Sequence, residues 1–243
     1  MSKTYSLTSV QRWWGKRSLA GRKSTFAAVI GAALSVSIIA FWLQPPEIAD
    51  LSEENRHQLP NLLGQWDKGN VIVLLRHLER CDKEDSPCLE GTEGITARSV
   101  GVGQILADSY ARLGLANTTI LNSPLTRTAQ TESIVFADVG ADMNWLYECR
   151  DSMLSDALAH KAPGKNLVLV THSSCIEAFE QALGYDSDTP TYGTSLFFSA
   201  DAPPGSLKVL GFLDADDWDI AVGHSPSNVA NRSPLRTGEG DVL

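Results

Sequence analysis

The sequence predicts an α/β fold with a mostly parallel sheet, and three observations carry that prediction. A continuous apolar run at 71–75, and a strand at 166–170 that is apolar after Asn166, have the pattern of strands buried on both faces. Segments of helical periodicity alternate with them along the chain. The composition is that of a globular protein: of 243 residues, 43% are hydrophobic and 20% charged, which excludes collagen-like, disordered and disulfide-knot classes. At about 150 residues per domain, one domain with extensions is the simplest count.

The elements follow in order. Residues 1–24 form a basic N-terminus, and 25–43 are a run of 19 residues without charge, long enough for one pass through a bilayer core. Lys3, Arg12, Lys16, Arg17, Arg22 and Lys23 precede this run and the first acid, Glu47, follows it. The positive-inside rule then puts the N-terminus in the cytoplasm and the body outside. A cleaved signal peptide needs small residues after the apolar run. Here Phe41, Trp42, Leu43, Gln44, Pro45 and Pro46 stand there, so an uncleaved membrane anchor is expected, with a soluble exported form after cleavage as the alternative. Residues 44–69 read as a linker with a lead-in helix over 51–68.

The body, 70–223, reads as one domain. A strand at 71–75 leads into a polar loop at 81–95. Thr96 is placed to cap a helix running to about Leu113, with Val100, Ile105, Leu106 and Tyr110 on its apolar side. A strand at 118–121 follows. Ser123 as cap and Pro124 in the first turn then open a helix to about Phe136. A short strand or extended segment at 143–147, a helix at 152–160, a strand at 166–170 and a helix at 173–183 come next. Segments 196–198 and 207–213 close the sheet. The tail, 224–243, is rich in Ser, Pro, Asn and Gly without an apolar pattern and reads as disordered.

Net charge is −9, but residues beyond 46 hold 14 of the 20 basic residues and all 29 acids, leaving −15. An acidic body argues against nucleic acid as the main partner. It is compatible with an anionic small substrate, because a few converging arginines set the field of a pocket.

Cys81, Cys88, Cys149 and Cys175 are an even set in an exported chain, where disulfides persist. Cys81 and Cys88 flank a polar loop, which makes a local bridge plausible; Cys149 and Cys175 would then pair. A metal site is the rival, but no C-x-x-C occurs and no histidine stands at ligand spacing beside these cysteines.

Functional groups of open parallel sheets gather beyond the carboxyl ends of the strands. The first strand ends in Arg76, His77, Leu78, Glu79 and Arg80, the second in Asn122 and Ser123 with Arg127 close by, and the strand at 166–170 in Thr171, His172 and Ser173. Arginine forks match phosphate oxygens and remain charged at any relevant pH. The helix start after Ser123 adds backbone donors and a positive dipole end. A histidine among guanidinium groups is biased toward its neutral, nucleophilic form. Each arginine alone reads equally well as a surface partner of an acid; their coincidence at three strand ends favours a phosphate site. His57 and His224 read as solvated, and His160 as a structural cation at a helix end. A serine hydrolase using Ser173 or Ser174 is the weaker reading, since no G-x-S-x-G elbow exists.

At these residues the chain resembles the histidine phosphatase (phosphoglycerate mutase-like) superfamily. Leu75-Arg76-His77 with Glu79-Arg80, then Ser123-Pro124-Leu125-x-Arg127-Thr128-x-Gln130-Thr131, then Thr171-His172, follow its motifs in order over about residues 70–213. Cys81-Asp82, Cys88, Gly94-Ile95-Thr96, Glu148-Cys149 and Cys175 make it most similar to the lipopolysaccharide core heptose-phosphate phosphatases, exported enterobacterial proteins with a similar hydrophobic N-terminal segment. The four cysteines fall in matching places. The resemblance implies a three-layer α/β/α fold and a phosphohistidine mechanism without a cofactor or metal. It implies that His77 attacks phosphorus, that Arg76, Arg80, Arg127 and His172 bind the phosphoryl oxygens, and that Glu148 protonates the leaving group. Asp151 and Glu79 are rivals for that last role, and Glu79 could equally partner an arginine. The sequence departs from the family at Leu78, where glycine is usual and a narrower pocket floor follows, at Ser99 in the usual Thr-x-x-Gly, and at Ser173, where the acid-phosphatase branch has Asp. Two function classes stay open: a periplasmic phosphomonoesterase acting on an envelope phosphosugar, and a catalytically silent phosphate- or phosphosugar-binding module.

Overall fold

The computed structural model describes residues 29–35, 42, 44–52, 55–149, 151–187, 189–201 and 207–223. The expected tail at 224–243 and most of the expected anchor at 25–43 lie outside them. The chain divides into two compact units, Met1–Pro45 and Pro46–Leu243. In the first, residues 29–35 are helical, with Val29, Ile30 and Leu34 exposed. No helix among the described residues is long and apolar enough to cross a membrane.

In the second unit, a 3-10 turn at Arg56–Gln58 leads into α1 (Leu59–Asp67). Then come β1 (Val71–Arg76), α2 (Val100–Leu113), β2 (Thr118–Asn122), α3 (Thr126–Phe136), β3 (Ala141–Asp142), α4 (Met153–His160), β4 (Asn166–Thr171), α5 (Ser173–Ala182), β5 (Ser195–Ser199), β6 (Lys208–Leu213) and α6 (Trp218–Val222). The six strands form one sheet in the order β3-β2-β4-β1-β5-β6. β3, β2, β4 and β1 are parallel, and β5 runs antiparallel to both β1 and β6. This is the mostly parallel α/β sheet that the alternating pattern predicts.

Successive residues of a strand point to opposite faces, and β1 shows what that does here. Val71, Val73 and Leu75 enter one core with Leu62 and Trp66 of α1, Leu106 and Tyr110 of α2, Phe136 of α3 and Trp218 of α6. Ile72 and Leu74 enter the other core with Met153 and Ala157 of α4 and Ile176 and Phe179 of α5. Helices therefore cover both faces and the fold has three layers, the reason β1 and β4 read as unbroken apolar runs. Burying each large apolar side chain contributes about 1.5–3 kcal/mol.

Several local expectations are corrected. The segment at 143–147 is not a strand: a 3-10 turn occupies Asn144–Leu146, and the strand is the shorter Ala141–Asp142 beside β2. The lead-in helix is shorter than 51–68. Thr96 does not cap α2; a 3-10 turn at Ala97–Ser99 intervenes, and the Thr96 hydroxyl donates to Glu79 Oε1 at 2.8 Å. Ile105, expected on the apolar side of α2, is 41% exposed. Ser123 does not cap α3, which starts at Thr126 with Leu125 at the cap position.

Candidate active site

Three adjacent parallel strands end in step. β1 and β4 pair through Arg76 and Thr171, and β4 and β2 through Val170 and Asn122. One residue further on, the His77 N–H donates to Thr171 O and the Ser123 N–H to Val170 O, each at 3.0 Å. Sheet hydrogen bonding thus carries His77, Ser123 and His172 to one edge, beyond the carboxyl ends of the strands.

A cleft of about 270 Å³ lies there, lined by Arg76, His77, Arg80, Lys83, Arg127, Tyr147, His172, Ser173, Ser174 and Tyr192. Of the residues expected at a site, Arg76, His77, Arg80, Arg127 and His172 are together. Among these lining residues four side chains are cationic and none is a carboxylate. Glu148 follows Tyr147 in sequence, but it is exposed and outside the lining. Asp151 is likewise exposed and outside. Glu79 is an arginine partner: Arg98 donates to both of its carboxylate oxygens at 2.7 Å, which holds the carboxyl below its ordinary range.

His77 is 3% exposed, and its tautomer follows from its neighbours. Its Nδ1–H donates to Leu78 O at 2.7 Å, because a carbonyl can only accept. Its Nε2 accepts from Arg127 Nε–H at 3.2 Å. The ring is therefore neutral, with the Nε2 lone pair turned to a cation. Burial, foremost, and then His172, Arg127 and Arg76 hold its pKa well below the ordinary value, against the opposing bond to Leu78 O. His172 stands 5.3 Å away, ring centre to centre, edge to face. Burial and then the charges of Arg127, Arg80 and Arg76 push its pKa down to about 3. His172 Nε2 shares a hydrogen bond of 2.8 Å with Ser123 Oγ, while its Nδ1 is buried without a partner among the described residues.

The arginines are held at different depths. Arg76 donates to Pro190 O, its guanidinium lies 4.0 Å over the Tyr192 ring, and its Nε is buried without a partner among the described residues. Burial lowers the pKa of Arg76 and of Arg127, yet guanidinium groups remain charged. Arg80 is paired with Asp82, Nε to Oδ1 at 2.7 Å.

The remaining motif residues build the frame. Thr131 Oγ1 accepts from Leu78 N–H at 2.9 Å and fixes the turn after His77. Thr128 Oγ1 donates to Ser123 O at 2.7 Å, and Gln130 Oε1 accepts from Ile95 N–H at 2.8 Å. Disulfides join Cys81 to Cys88 and Cys149 to Cys175, and no cysteine among the described residues is free. The second bridge ties the Tyr147 segment to the first turn of α5, behind Ser173 and Ser174. His160 is the last residue of α4; it bonds Asp156 O at 2.7 Å and stacks on Trp145, which is structural work.

Sequence reading missed Lys83, Tyr147 and Tyr192 as lining residues. Lys83 follows β1 closely and its charge is a usable signal. Tyr192 lies more than a hundred residues from His77, and no periodicity marks it.

Fold and cleft together define an α/β protein with a histidine- and arginine-lined cleft at its sheet edge. No family model matches the chain. Curated relatives carry the name lipopolysaccharide core heptose(II)-phosphate phosphatase, in line with the resemblance of the motifs to the histidine phosphatases. The relative from Escherichia coli O6:K15:H31 is 31% identical over 110 residues, 44% of this chain and 54% of the relative. That from Salmonella paratyphi B is 28% identical over 109 residues, again 44% and 54%. The chain spans about half the length of the curated relatives it matches. Among solved structures, a phosphoserine phosphatase variant from Entamoeba histolytica in complex with phosphoserine superposes with a TM-score of 0.45 at 14% identity, over 60% of this chain and 98% of its own. A SixA structure from Agrobacterium tumefaciens superposes with a TM-score of 0.47 at 17% identity, over 60% and 98%.

Proposed function

We infer that this chain is a phosphomonoesterase that works through a phosphohistidine on His77, with a phosphosugar of the cell envelope, such as the heptose phosphate of lipopolysaccharide core, as its substrate class. The observation that carries the reading is the state of His77: Nδ1–H is committed to Leu78 O, and the Nε2 lone pair faces Arg127 in a cleft of four cations. In the first step Nε2 forms a bond to phosphorus as the bond to the leaving oxygen breaks. Arg76, Arg127 and His172, with Arg80 as a further ligand, hold the phosphoryl oxygens, and charge positioning supplies the catalysis. Glu148, beside the cleft-lining Tyr147, gives the leaving oxygen its proton. Water then attacks phosphorus and returns a proton to Glu148, the P–N bond breaks, and phosphate leaves.

The test is trapping with radiolabelled phosphosugar or aryl phosphate, quenched in alkaline detergent because a P–N bond survives base and hydrolyses in acid, followed by peptide mapping at alkaline pH. Label on the peptide bearing His77, absent after His77→Ala, is the expected result. A carboxylate-free cleft lining also suits a module that binds phosphate without turnover. Tight phosphate binding with no trapped label and no release would establish that second reading.

The apolar run at 25–43 and its basic flank support residence in the inner membrane with residues 47–243 in the periplasm. The mass of membrane-extracted protein tests this. A soluble form beginning beyond residue 40 overturns the anchor.

A further inference from the structure

Arg76 and Arg80 both line the cleft, and they differ in what holds them. Arg80 is bonded to the carboxylate of Asp82. Among the described residues no carboxylate pairs with Arg76. The turn at 190–194 holds it instead. Arg76 N–H donates to Thr194 O at 3.0 Å, and Arg76 O accepts from Gly193 N–H at 3.2 Å. The guanidinium donates to Pro190 O and lies 4.0 Å over the ring of Tyr192. That ring also stands 5.8 Å from the ring of His77, centre to centre.

The turn is itself fixed from outside the cleft. Gly193 has φ of +80°, a conformation that other residues adopt only under strain. The Thr191 and Thr194 hydroxyls on either side both donate to Asp214 Oδ1, just past the end of β6. Ala215 and Leu78 lie underneath: a Cβ at Gly193 would stand 3.2 Å from Ala215 Cβ and 3.5 Å from Leu78 Cδ2. Leu78 is 1% exposed and is not part of the cleft lining. The side chain that stands where the family usually has glycine therefore backs the turn and does not narrow the cleft.

The two ways of holding an arginine differ in charge. A carboxylate cancels the charge of the guanidinium that it orients, and it competes with a phosphoryl oxygen for the same N–H donors. An aromatic face attracts the guanidinium through its quadrupole and brings no net charge. A backbone carbonyl is neutral as well. Arg76 is thus fixed in place with its charge uncompensated. A charge preorganised in this way is what stabilises a phosphoryl group in transfer.

We propose that Tyr192 is a positioning residue for phosphoryl transfer: its ring carries the Arg76 guanidinium at full charge beside His77, and Asp214, outside the cleft, keeps that ring in place through Thr191 and Thr194. The proposal deepens the phosphatase reading of the cleft and rests on it. The face of the ring does the work, and the phenolic hydroxyl takes no part.

The test is a double-mutant cycle of Tyr192→Leu with Arg76→Ala, with Tyr192→Phe as the conservative variant. It is read as kcat/KM for an aryl phosphate and, by calorimetry, as the dissociation constant of inorganic phosphate. Relative to wild type, Tyr192→Leu should lower kcat/KM and weaken phosphate binding, each by about tenfold. Added to Arg76→Ala, the same substitution should change either quantity by about twofold or less. Tyr192→Phe keeps the aromatic face and should stay within about twofold of wild type. Thr191→Val, at an exposed position, removes one bond to Asp214. It should give a smaller loss that also vanishes beside Arg76→Ala, and it carries the test if Tyr192→Leu does not fold. Wild-type behaviour of Tyr192→Leu, or of Thr191→Val in its place, overturns the proposal. So does a loss of equal size beside Arg76→Ala, or a Tyr192→Phe as impaired as Tyr192→Leu. If wild type turns over no phosphate ester, the phosphatase reading fails by itself. The phosphate dissociation constants then still decide whether Tyr192 acts through Arg76.

Discussion

Arg127 donates its Nε–H to Nε2 of His77 across 3.2 Å, on the ring nitrogen opposite the one that His77 commits to the Leu78 carbonyl. One backbone carbonyl and one guanidinium thereby set the tautomer, the orientation and the neutrality of the same imidazole. The lone pair that would attack phosphorus is already turned toward the charge that would receive the phosphoryl oxygens.

The first prediction divides labour between those two residues. On the proposed mechanism His77→Ala abolishes turnover, because the residue that would make and break the P–N bond has no neighbour to replace it. Arg127→Ala leaves the nucleophile in place but removes a charged donor, and such losses cost on the order of 100- to 1000-fold in rate. Steady-state kinetics with an aryl phosphate reads both. Full activity in purified His77→Ala rules out the phosphohistidine mechanism.

The second concerns the proton donor. Glu148→Gln should slow sugar phosphates far more than aryl phosphates, since only a poor leaving group needs its proton as the bond breaks. Equal slowing of both substrate types places the acid elsewhere, with Asp151 the next residue to replace.

The third follows from the two histidines. His172 is pushed down to about 3, and His77 also lies well below its ordinary value. In NMR titrations the His172 imidazole should gain no proton between about pH 8 and 5, where a free histidine does, and the His77 imidazole should titrate below a free histidine. The sign for stability follows. The folded pKa of His172 lies below the unfolded value of about 6.5, so the unfolded chain takes up the proton first. The neutral buried ring therefore favours folding fully above about pH 6.5, and that share is lost progressively as pH falls toward 3. The urea midpoint should drop with acid in wild type and drop less in His172→Asn.

The fourth concerns the bridge behind the cleft. Replacing Cys149 and Cys175 together by alanine should cost about 2–4 kcal/mol of stability by the loop-closure argument. It should also reduce activity, because the Tyr147 segment loses its tie to the start of α5. Denaturant unfolding and peptide mapping without reduction check it; four alkylated thiols in unreduced wild type refute the premise.

The sequence by itself determined the parts that depend on neighbours along the chain. The unbroken apolar runs of β1 and β4 required strands covered on both faces, and that put Arg76, His77 and His172 at strand ends on one edge. The short spacing of Cys81 and Cys88 made a local bridge readable. Only the tertiary structure decided the partners that come from far away. Ser123 reads as a helix cap, yet its hydroxyl bonds His172 across 49 positions. Glu79 reads as a possible acid, yet Arg98 holds it. Tyr192 joins the cleft because β5 pairs with β1, bringing residues 192 and 77 together. Periodicity reports which face of an element is buried. It carries no information on which distant side chain completes a hydrogen bond or walls a pocket, because that choice is made when the layers pack.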